Sequence, residues 1–304
     1  MAVLDELAQA TSDVIEKVGG AVVGVGTGWG LGSGVVVGEG LVLTNAHNVR
    51  AGEVAVTFSD GRRVAASVAG VDVDGDLAVL ATDTAGARPI EWAGGAVAPG
   101  APVFALANPG GRGLRVTLGL VTAAGQAFRG PRGRRITGSL EHTAPLAKGS
   151  SGGPVVDAAG RFVGVNTNRL GEGFYLALPA DAELEAKVAS LGRGESPTRV
   201  HLGVGLAPPR AARQLRRAVG LPDREGVLVR AVEEDSAAAE AGLRTGDLIV
   251  EAAGRPLATP DDLHEVLEGL DAGGSLELTV ARGAEDVAVT VRFGAGAPPT
   301  EGSR

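Results

Sequence analysis

From residue 22 to residue 179 the chain is cut into short β-branched runs closed by glycine, and this rhythm constrains the fold more than any other feature. VVGVG at 22–26, GVVVG at 34–38 and LVLTN at 41–45 are too short for helices and rich in residues that fit a pleated surface. AVTFS and RVAASVAGV flank Asp60-Gly61, a hairpin signal, and DLAVLAT follows at 76–82. The pattern restarts after a Gly/Ala/Pro stretch near 94–100 with PVFALA, LRVTLGLVTAA, RITGSLEHTA, PVVDAAGRFVGVNTN (turning at Ala159-Gly160) and GFYLALP. Each half supplies about six strands at the spacing of antiparallel barrels or sandwiches.

The flanks read differently. Residues 2–18 predict a helix whose Leu4, Leu7, Val14, Ile15 and Val18 share one face, which indicates a docked amphipathic helix. Asp5 and Glu6 stand where a secretory leader carries basic residues, and no apolar run is long enough to cross a membrane. A cytoplasmic protein with no membrane insertion is the expectation from the chain as written. Pro179 is expected to open a helix reaching about Leu191, and the polar LGRGESPT begins a linker at 191–199.

Beyond the linker the texture is mixed α and β over 200–296, with strands at HLGVGL (201–206), GVLVRAV (226–232) and GDLIVEAAGRP (246–256). Ser236 can cap a short alanine helix ending at Gly242. Thr259 as N-cap, Pro260 at N1 and Asp262 at N3 start another, with Leu263, Val266, Leu267 and Leu270 as its apolar face. LELTVARG and VAVTVRFG predict a closing hairpin before a flexible tail at 297–304. The expectation is a mainly β chain: residues 1–190 with barrels at about 20–95 and 98–179, then the linker, then a smaller α+β domain.

Composition removes several classes of function. There is no cysteine, which excludes disulfides and thiolate zinc sites, and no metal or other cofactor is called for. A net charge of −8 argues against nucleic acid as a partner. The one basic run, Arg129 to Arg135 (RGPRGRR), reads as a solvated loop.

Against that background GSSGGP at 149–154 stands out. A Gly/Ser run is ordinarily a turn. Glycine, however, lets backbone N–H groups turn toward one point, and Ser151 sets a hydroxyl among them, the pairing of nucleophile and oxyanion donors that acyl transfer needs. A base and a carboxylate must accompany it. Of the four histidines, His47 ends the apolar strand of LVLTNAHNV. Asp72, Asp74 and Asp76 alternate like the start of a calcium loop, but Leu77 stands where that loop needs glycine and no glutamate follows at the twelfth position. Asp76, immediately before an apolar strand, is the better placed carboxylate. Residues 149–153 also fit the nucleophile elbow G-x-S-x-G, which requires a following helix; Pro154 leads into a strand instead. The order His47, Asp76, Ser151 is the chymotrypsin order.

TNAHNV around His47, DGDLAVL around Asp76 and GSSGGP around Ser151 resemble the HtrA/Deg family of trypsin-like serine proteases, in register from about Gly32 to Pro179. The HLGV start, the DSAAAEAGLRTGDLIVEAAGRPL core and the TPDDLHEVL helix resemble that family's PDZ domain. Ser150 stands where the family usually has Asn, Asn48 replaces a Val and Thr143 replaces an Asp. The aromatic N-terminal segment through which members often trimerise has no clear counterpart. The resemblance implies a chymotrypsin-like double antiparallel β-barrel followed by a PDZ domain, with the site in the cleft between the barrels. In it Ser151 attacks, His47 takes the proton, Asp76 holds the imidazole, and the N–H groups of Gly149 and Ser151 form the oxyanion hole. Pro145 and Leu146 would edge the specificity pocket, and the backbone of Thr167, Asn168 and Arg169 would pair with substrate. Leu202, Gly203 and Val204 would capture a peptide C-terminus. The implied partners are unfolded polypeptides and peptide C-termini, the implied assembly a homo-oligomer (a trimer in the family), and the implied location extracytoplasmic.

The implied function is a serine endopeptidase acting on unfolded or misfolded proteins. Two other readings compete with it: a catalytically idle PDZ-bearing peptide-binding or chaperone scaffold, and a small-ester hydrolase.

Overall fold

The glycine-cut runs of the first 180 residues pair with near neighbours and close twice. The protein is seen in a computed structural model that describes residues 2–26, 32–49, 54–130, 135–169, 171, 173–197, 200–270 and 273–294. It divides into two units, Met1–Pro197 and Thr198–Arg304.

In the first unit, β1 (Val22–Val25), β2 (Gly32–Gly38), β3 (Leu41–Thr44), β4 (Val54–Thr57), β5 (Arg63–Asp72) and β6 (Leu77–Thr82) form a closed antiparallel barrel in the order β1-β2-β3-β6-β5-β4. β7 (Pro102–Ala107), β8 (Arg115–Arg129), β9 (Arg135–His142), β10 (Pro154–Val156), β11 (Phe162–Arg169) and β12 (Tyr175–Pro179) form a second, in the equivalent order β7-β8-β9-β12-β11-β10. Each strand of the second barrel contributes one residue to a buried cluster: Val103, Val121, Leu140, Val155, Val163 and Ala177. Inward and outward positions alternate along such strands, so one apolar side chain per strand is enough to fill a layer of a small barrel.

The helix α1 (Ala2–Val18) forms as expected but docks only by its end. Val14 and Val18 are buried, whereas Leu4 is 70% exposed and Leu7 and Ile15 are 38% and 40% exposed. The apolar stripe is real, but only its last turns reach the barrels.

Pro179 does not open the next helix; it ends β12. The helix α2 (Ala182–Gly192) starts at Asp181, whose carboxylate accepts from the Leu184 N–H at 2.9 Å. An ordinary N-cap overrides the proline signal. α2 follows the second barrel in sequence yet packs on the first. Its Leu184, Val188 and Leu191 are buried, and Lys187 reaches the buried Asp72 at 3.4 Å. A side chain at Gly70 in β5 would overlap the Leu191 backbone. The segment read as linker therefore begins inside α2, and its Ser196 hydroxyl accepts from the Val71 N–H at 3.0 Å.

In the second unit, β13 (Val204–Leu206), β14 (Val227–Val232), β15 (Leu248–Ala252), β17 (Ser275–Arg282) and β18 (Glu285–Arg292) run in that spatial order, with β13 at one edge and β16 (Arg255–Pro256) pairing with β15. The helix α4 (Ala237–Glu240) is capped by Ser236, and α5 (Pro260–Glu268) carries the Thr259/Asp262 capping box expected for it. The helix α3 (Pro209–Ala218) was not expected. Its buried positions are Ala212 and Arg216, a face with no hydrophobic period to read. Residues 131–134 of the basic run, Thr198 and Arg199 of the linker, and the tail lie outside the described residues.

Candidate active site

Barrel topology delivers His47 and Asp76 from neighbouring strands. β3 pairs with β6, so the residues just after β3 and just before β6 meet at one end of the first barrel. A 3-10 turn, Ala46–Asn48, carries His47, and Asp76 immediately precedes Leu77 of β6. Asp76 takes φ +55, a conformation that aspartate tolerates better than most L-residues. The buried Asn45 amide donates to the Asp76 carbonyl at 2.9 Å and holds that backbone in place.

His47 Nδ1 lies 2.9 Å from both carboxylate oxygens of Asp76, and the His47 backbone N–H donates to Oδ1 at 3.2 Å. A carboxylate can only accept, so the arrangement puts the proton on Nδ1 and leaves Nε2 with its lone pair. Asp76 is 2% exposed and the His47 side chain 38%, a buried anchor beneath an accessible ring. The neighbouring Asp72 is used elsewhere: it accepts from the Gly75 N–H at 3.0 Å and faces Lys187.

The second barrel supplies Ser151 from the turn before β10. Gly149 and Gly152 take φ +89 and +88, and a side chain at Gly152 would overlap the Ser33 carbonyl oxygen. The turn is held from beneath by the fully buried Asn166. Its backbone exchanges bonds with Gly152 and Gly153, and its amide donates to the Gly153 carbonyl at 3.0 Å. His142 donates to Asn166 Oδ1 at 3.0 Å, and burial pushes the His142 imidazole down to about 4. Among the described residues neither the Gly149 nor the Ser151 N–H has a backbone acceptor in the protein.

Thr167 joins the two halves. β11 is bulged against β12 between Asn166 and Asn168, so Thr167 is the unpaired extra residue. Its hydroxyl donates to Asp76 Oδ2 at 2.9 Å, and its carbonyl accepts from the Ser151 hydroxyl at 3.0 Å. The structure thus brings His47, Asp76 and Ser151 together. The Ser151 hydroxyl faces Thr167, and among the described residues no hydrogen bond joins it to His47.

Of the other expected site residues, Pro145 is exposed and Leu146 half-buried, in the segment between β9 and β10. That segment is tied to β8 through Thr143, whose N–H donates to the Leu120 carbonyl at 3.0 Å while its hydroxyl accepts from the Leu120 N–H at 3.0 Å. Asn168 and Arg169 are exposed at the end of β11, and the Arg169 guanidinium lies 5.8 Å from the Tyr175 ring centre. In the second unit Leu202 is buried, and its carbonyl accepts from the Ala238 N–H at 2.9 Å. Gly203 takes φ +79 where a Cβ would overlap the Ser236 side chain, and Val204 begins the edge strand β13. Sequence reasoning missed Asn166 and Thr167's hydroxyl. The bulge behind Thr167 leaves no mark in a run of alternating residues.

Residues 32–165 match the trypsin-like peptidase domain family, and residues 200–293 match the PDZ domain family. HhoA of Synechocystis sp., named as a serine protease, is 32% identical over 280 residues, covering 86% of this chain and 70% of its own length. HhoB of the same organism is 32% identical, covering 87% of this chain and 66% of its own length. A DegP-like periplasmic serine endoprotease of Halomonas elongata is 31% identical, covering 87% of this chain and 56% of its own length. The chain thus spans about half to two thirds of the length of most of the curated relatives it matches. Among solved structures, the HtrA-type protease AlgW with a decapeptide superposes with a TM-score of 0.67 at 25% identity, over 95% of this chain and 99% of that one. The serine endoprotease of Yersinia pestis gives a TM-score of 0.64 at 26% identity, over 93% and 97%.

Proposed function

From the premise that this chain belongs to the HtrA/Deg family of trypsin-like serine proteases with a PDZ domain, we propose that it is an endopeptidase that cleaves unfolded or misfolded polypeptides. The observation that carries the reading is Thr167, which holds the Asp76 carboxylate with its hydroxyl and the Ser151 hydroxyl with its carbonyl. One residue brings the would-be nucleophile and the carboxylate within a residue's span of each other, with the imidazole of His47 on that carboxylate.

In this reading the Ser151 hydroxyl turns from Thr167 to His47. Its Oγ bonds to the scissile carbonyl carbon as its proton passes to His47 Nε2. The developing oxyanion is met by the N–H groups of Gly149 and Ser151, each worth about 3–4 kcal/mol in such sites. Collapse breaks the C–N bond, and the imidazolium returns its proton to the leaving amine. Water then gives its proton to His47 and its oxygen to the acyl carbon, releasing the carboxylic acid and restoring Ser151. Asp76 keeps the proton on Nδ1 and stabilises the imidazolium. With the apolar Pro145 and Leu146 edging the pocket in this reading, small or aliphatic side chains are favoured before the cut. A substrate segment would pair with the backbone of Thr167 to Arg169.

In the PDZ unit, edge strand β13 would take an added strand, and Gly203, which turns the backbone at φ +79 with Ser236 where a Cβ would lie, would let the N–H groups of Leu202 to Val204 meet a peptide carboxylate. The AlgW structure, with its bound decapeptide, supports a peptide as ligand of this architecture. Relatives named as periplasmic endoproteases favour an extracytoplasmic site over the cytoplasmic expectation. No helix among the described residues is long and apolar enough to cross a membrane.

The idle-scaffold reading has one observation in its favour, the Ser151 hydroxyl bonded to Thr167 instead of to His47. Incubation of the full chain with unfolded casein, with mass spectrometry of the products, decides among the readings. Internal cleavage after small or aliphatic residues is expected. Intact casein bound by the protein supports the scaffold, and turnover of small esters alone supports the ester hydrolase.

A further inference from the structure

Asn48 follows His47 in the same 3-10 turn, and its side chain points across to the other barrel. The amide donates to the Ser151 carbonyl at 2.8 Å and to the Thr44 hydroxyl at 3.0 Å. Thr44 gives its own hydroxyl proton to the Ser33 carbonyl at 2.7 Å, so its oxygen is fixed as an acceptor for Asn48. The Ser33 N–H donates in turn to the Ser151 carbonyl at 2.9 Å. Asn48, Ser151, Ser33 and Thr44 therefore form a closed ring of hydrogen bonds, with Ser33, Thr44 and the base-bearing turn on the first barrel and the nucleophile on the second.

The surroundings are shaped to admit this amide. A side chain at Gly32 would overlap the Asn48 carboxamide, and one at Gly152 would overlap the Ser33 carbonyl and the Thr44 hydroxyl and crowd the amide nitrogen. Ser33, itself fully buried, adds a second hold on the same turn by donating its hydroxyl to the Gly149 carbonyl at 2.8 Å. Two donors on the Ser151 carbonyl fix the peptide plane that leaves the nucleophile, and with it the direction of the Cα–Cβ bond that carries Oγ.

We propose that Asn48 is a positioning residue that locks the serine turn to the histidine turn, so that His47 and Ser151 keep one mutual geometry. A valine there, the residue usual in the family by resemblance, has no donor for the Ser151 carbonyl. The proposal rests on the endopeptidase reading and deepens it. A small misplacement of a reacting pair slows the chemical step without weakening substrate binding.

The test uses the full chain, a soluble peptide substrate, a fluorophosphonate that labels the active serine, and thermal unfolding. Asn48→Val is expected to lower kcat by roughly 10–100-fold with KM within about twofold. Serine labelling should slow in parallel, and Tm should move by no more than about 4 °C. Thr44→Val frees the amide from its second acceptor, so the double variant should be no slower than Asn48→Val alone. An unchanged kcat, a loss confined to KM, or losses that multiply in the double variant would each overturn the proposal. If Asn48→Val does not fold, the near-isosteric Asn48→Asp decides the matter. An acceptor facing the Ser151 carbonyl should cost at least as much in kcat per labelled site, and full activity in that variant overturns the proposal. Loss of activity in Ser151→Ala alongside normal rates in Asn48→Val overturns this inference alone; an active Ser151→Ala overturns the endopeptidase reading itself.

Discussion

The two barrels share a strand order yet prepare their shares of the site by opposite means. The first holds side chains. Asp76 adopts a left-handed backbone without being glycine, Asn45 braces its carbonyl, and the His47 ring is fixed by a buried carboxylate. The second holds backbone. Gly149 and Gly152 turn the chain at positive φ, and Asn166 clamps the turn from below. The difference follows from the tasks. A base must present one ring nitrogen at a fixed angle, which calls for a rigid side chain. A nucleophile that generates an oxyanion needs N–H groups converging beside it, which calls for glycine.

The largest effect is expected from the Ser151 hydroxyl of the second barrel. Ser151→Ala should reduce peptide cleavage by up to about a millionfold, read as product formed by purified protein, with thermal unfolding unchanged. Retention of more than a few per cent of activity would remove Ser151 from its role.

On the first barrel, Asp76→Asn keeps the shape but can donate to His47 Nδ1 and so stabilise the wrong tautomer. A loss in kcat of about 10⁴-fold is expected, with KM little altered. A loss below tenfold would mean that Asp76 is a structural brace and that the contrast drawn between the halves is wrong on this side.

The glycine half of the contrast can be sharpened without touching a reacting group. Gly152→Ala meets both a positive φ and the Ser33 carbonyl, and should cost at least about 2 kcal/mol of stability. Gly86→Ala has φ +78 with open space around it and should cost about 1 kcal/mol. Urea midpoints of the two variants measure the difference; equal midpoints would show that the serine turn is not crowded.

The last effect, silent at pH 7 until the solution is acidified, concerns His142 beneath the serine turn. Its imidazole is pushed down to about 4 by burial, against about 6.5 when unfolded. Between these values the unfolded chain binds the extra proton, so stability rises with pH across the window and falls on acidification. The contribution is at most about 1.4 kcal/mol per pH unit and levels off below about pH 4. Thermal unfolding from pH 7 to 4.5 should show a shallower acid slope in His142→Phe than in the native chain. Parallel slopes would assign the acid sensitivity to other groups.

Most of the first unit was legible because the barrel strands are short, β-branched and punctuated by glycine, and because His47, Asp76 and Ser151 sit at strand ends where local pattern is informative. The capping box at Thr259 was legible for the same local reason. What stayed hidden was set by tertiary contact. Pro179 looked like a helix start until Asp181 proved to be the cap, and α3 buries an arginine where a period of apolar residues would have been the signal. Leu4 and Leu7 share the face of α1 that carries Val14 and Val18, but only the later two are buried. Thr167 and Asn48 act through a bulge and a cross-barrel bond, neither of which has a local signature.

The placement of α2 has a consequence for synthesis on the ribosome. The chain emerges from its N-terminus, so all six strands of the first barrel are made long before Leu184, Val188 and Leu191, which complete that barrel's core. A nascent chain stopped after Thr82 lacks the side chains that cover β5 and the lysine that faces Asp72 beside the Asp76 turn. The first barrel is sealed only once the segment bearing Ser151 has also been made. The order of manufacture thus puts the helix that covers β5 after the segment bearing Ser151, and a product truncated before α2 carries a first barrel with that strand uncovered.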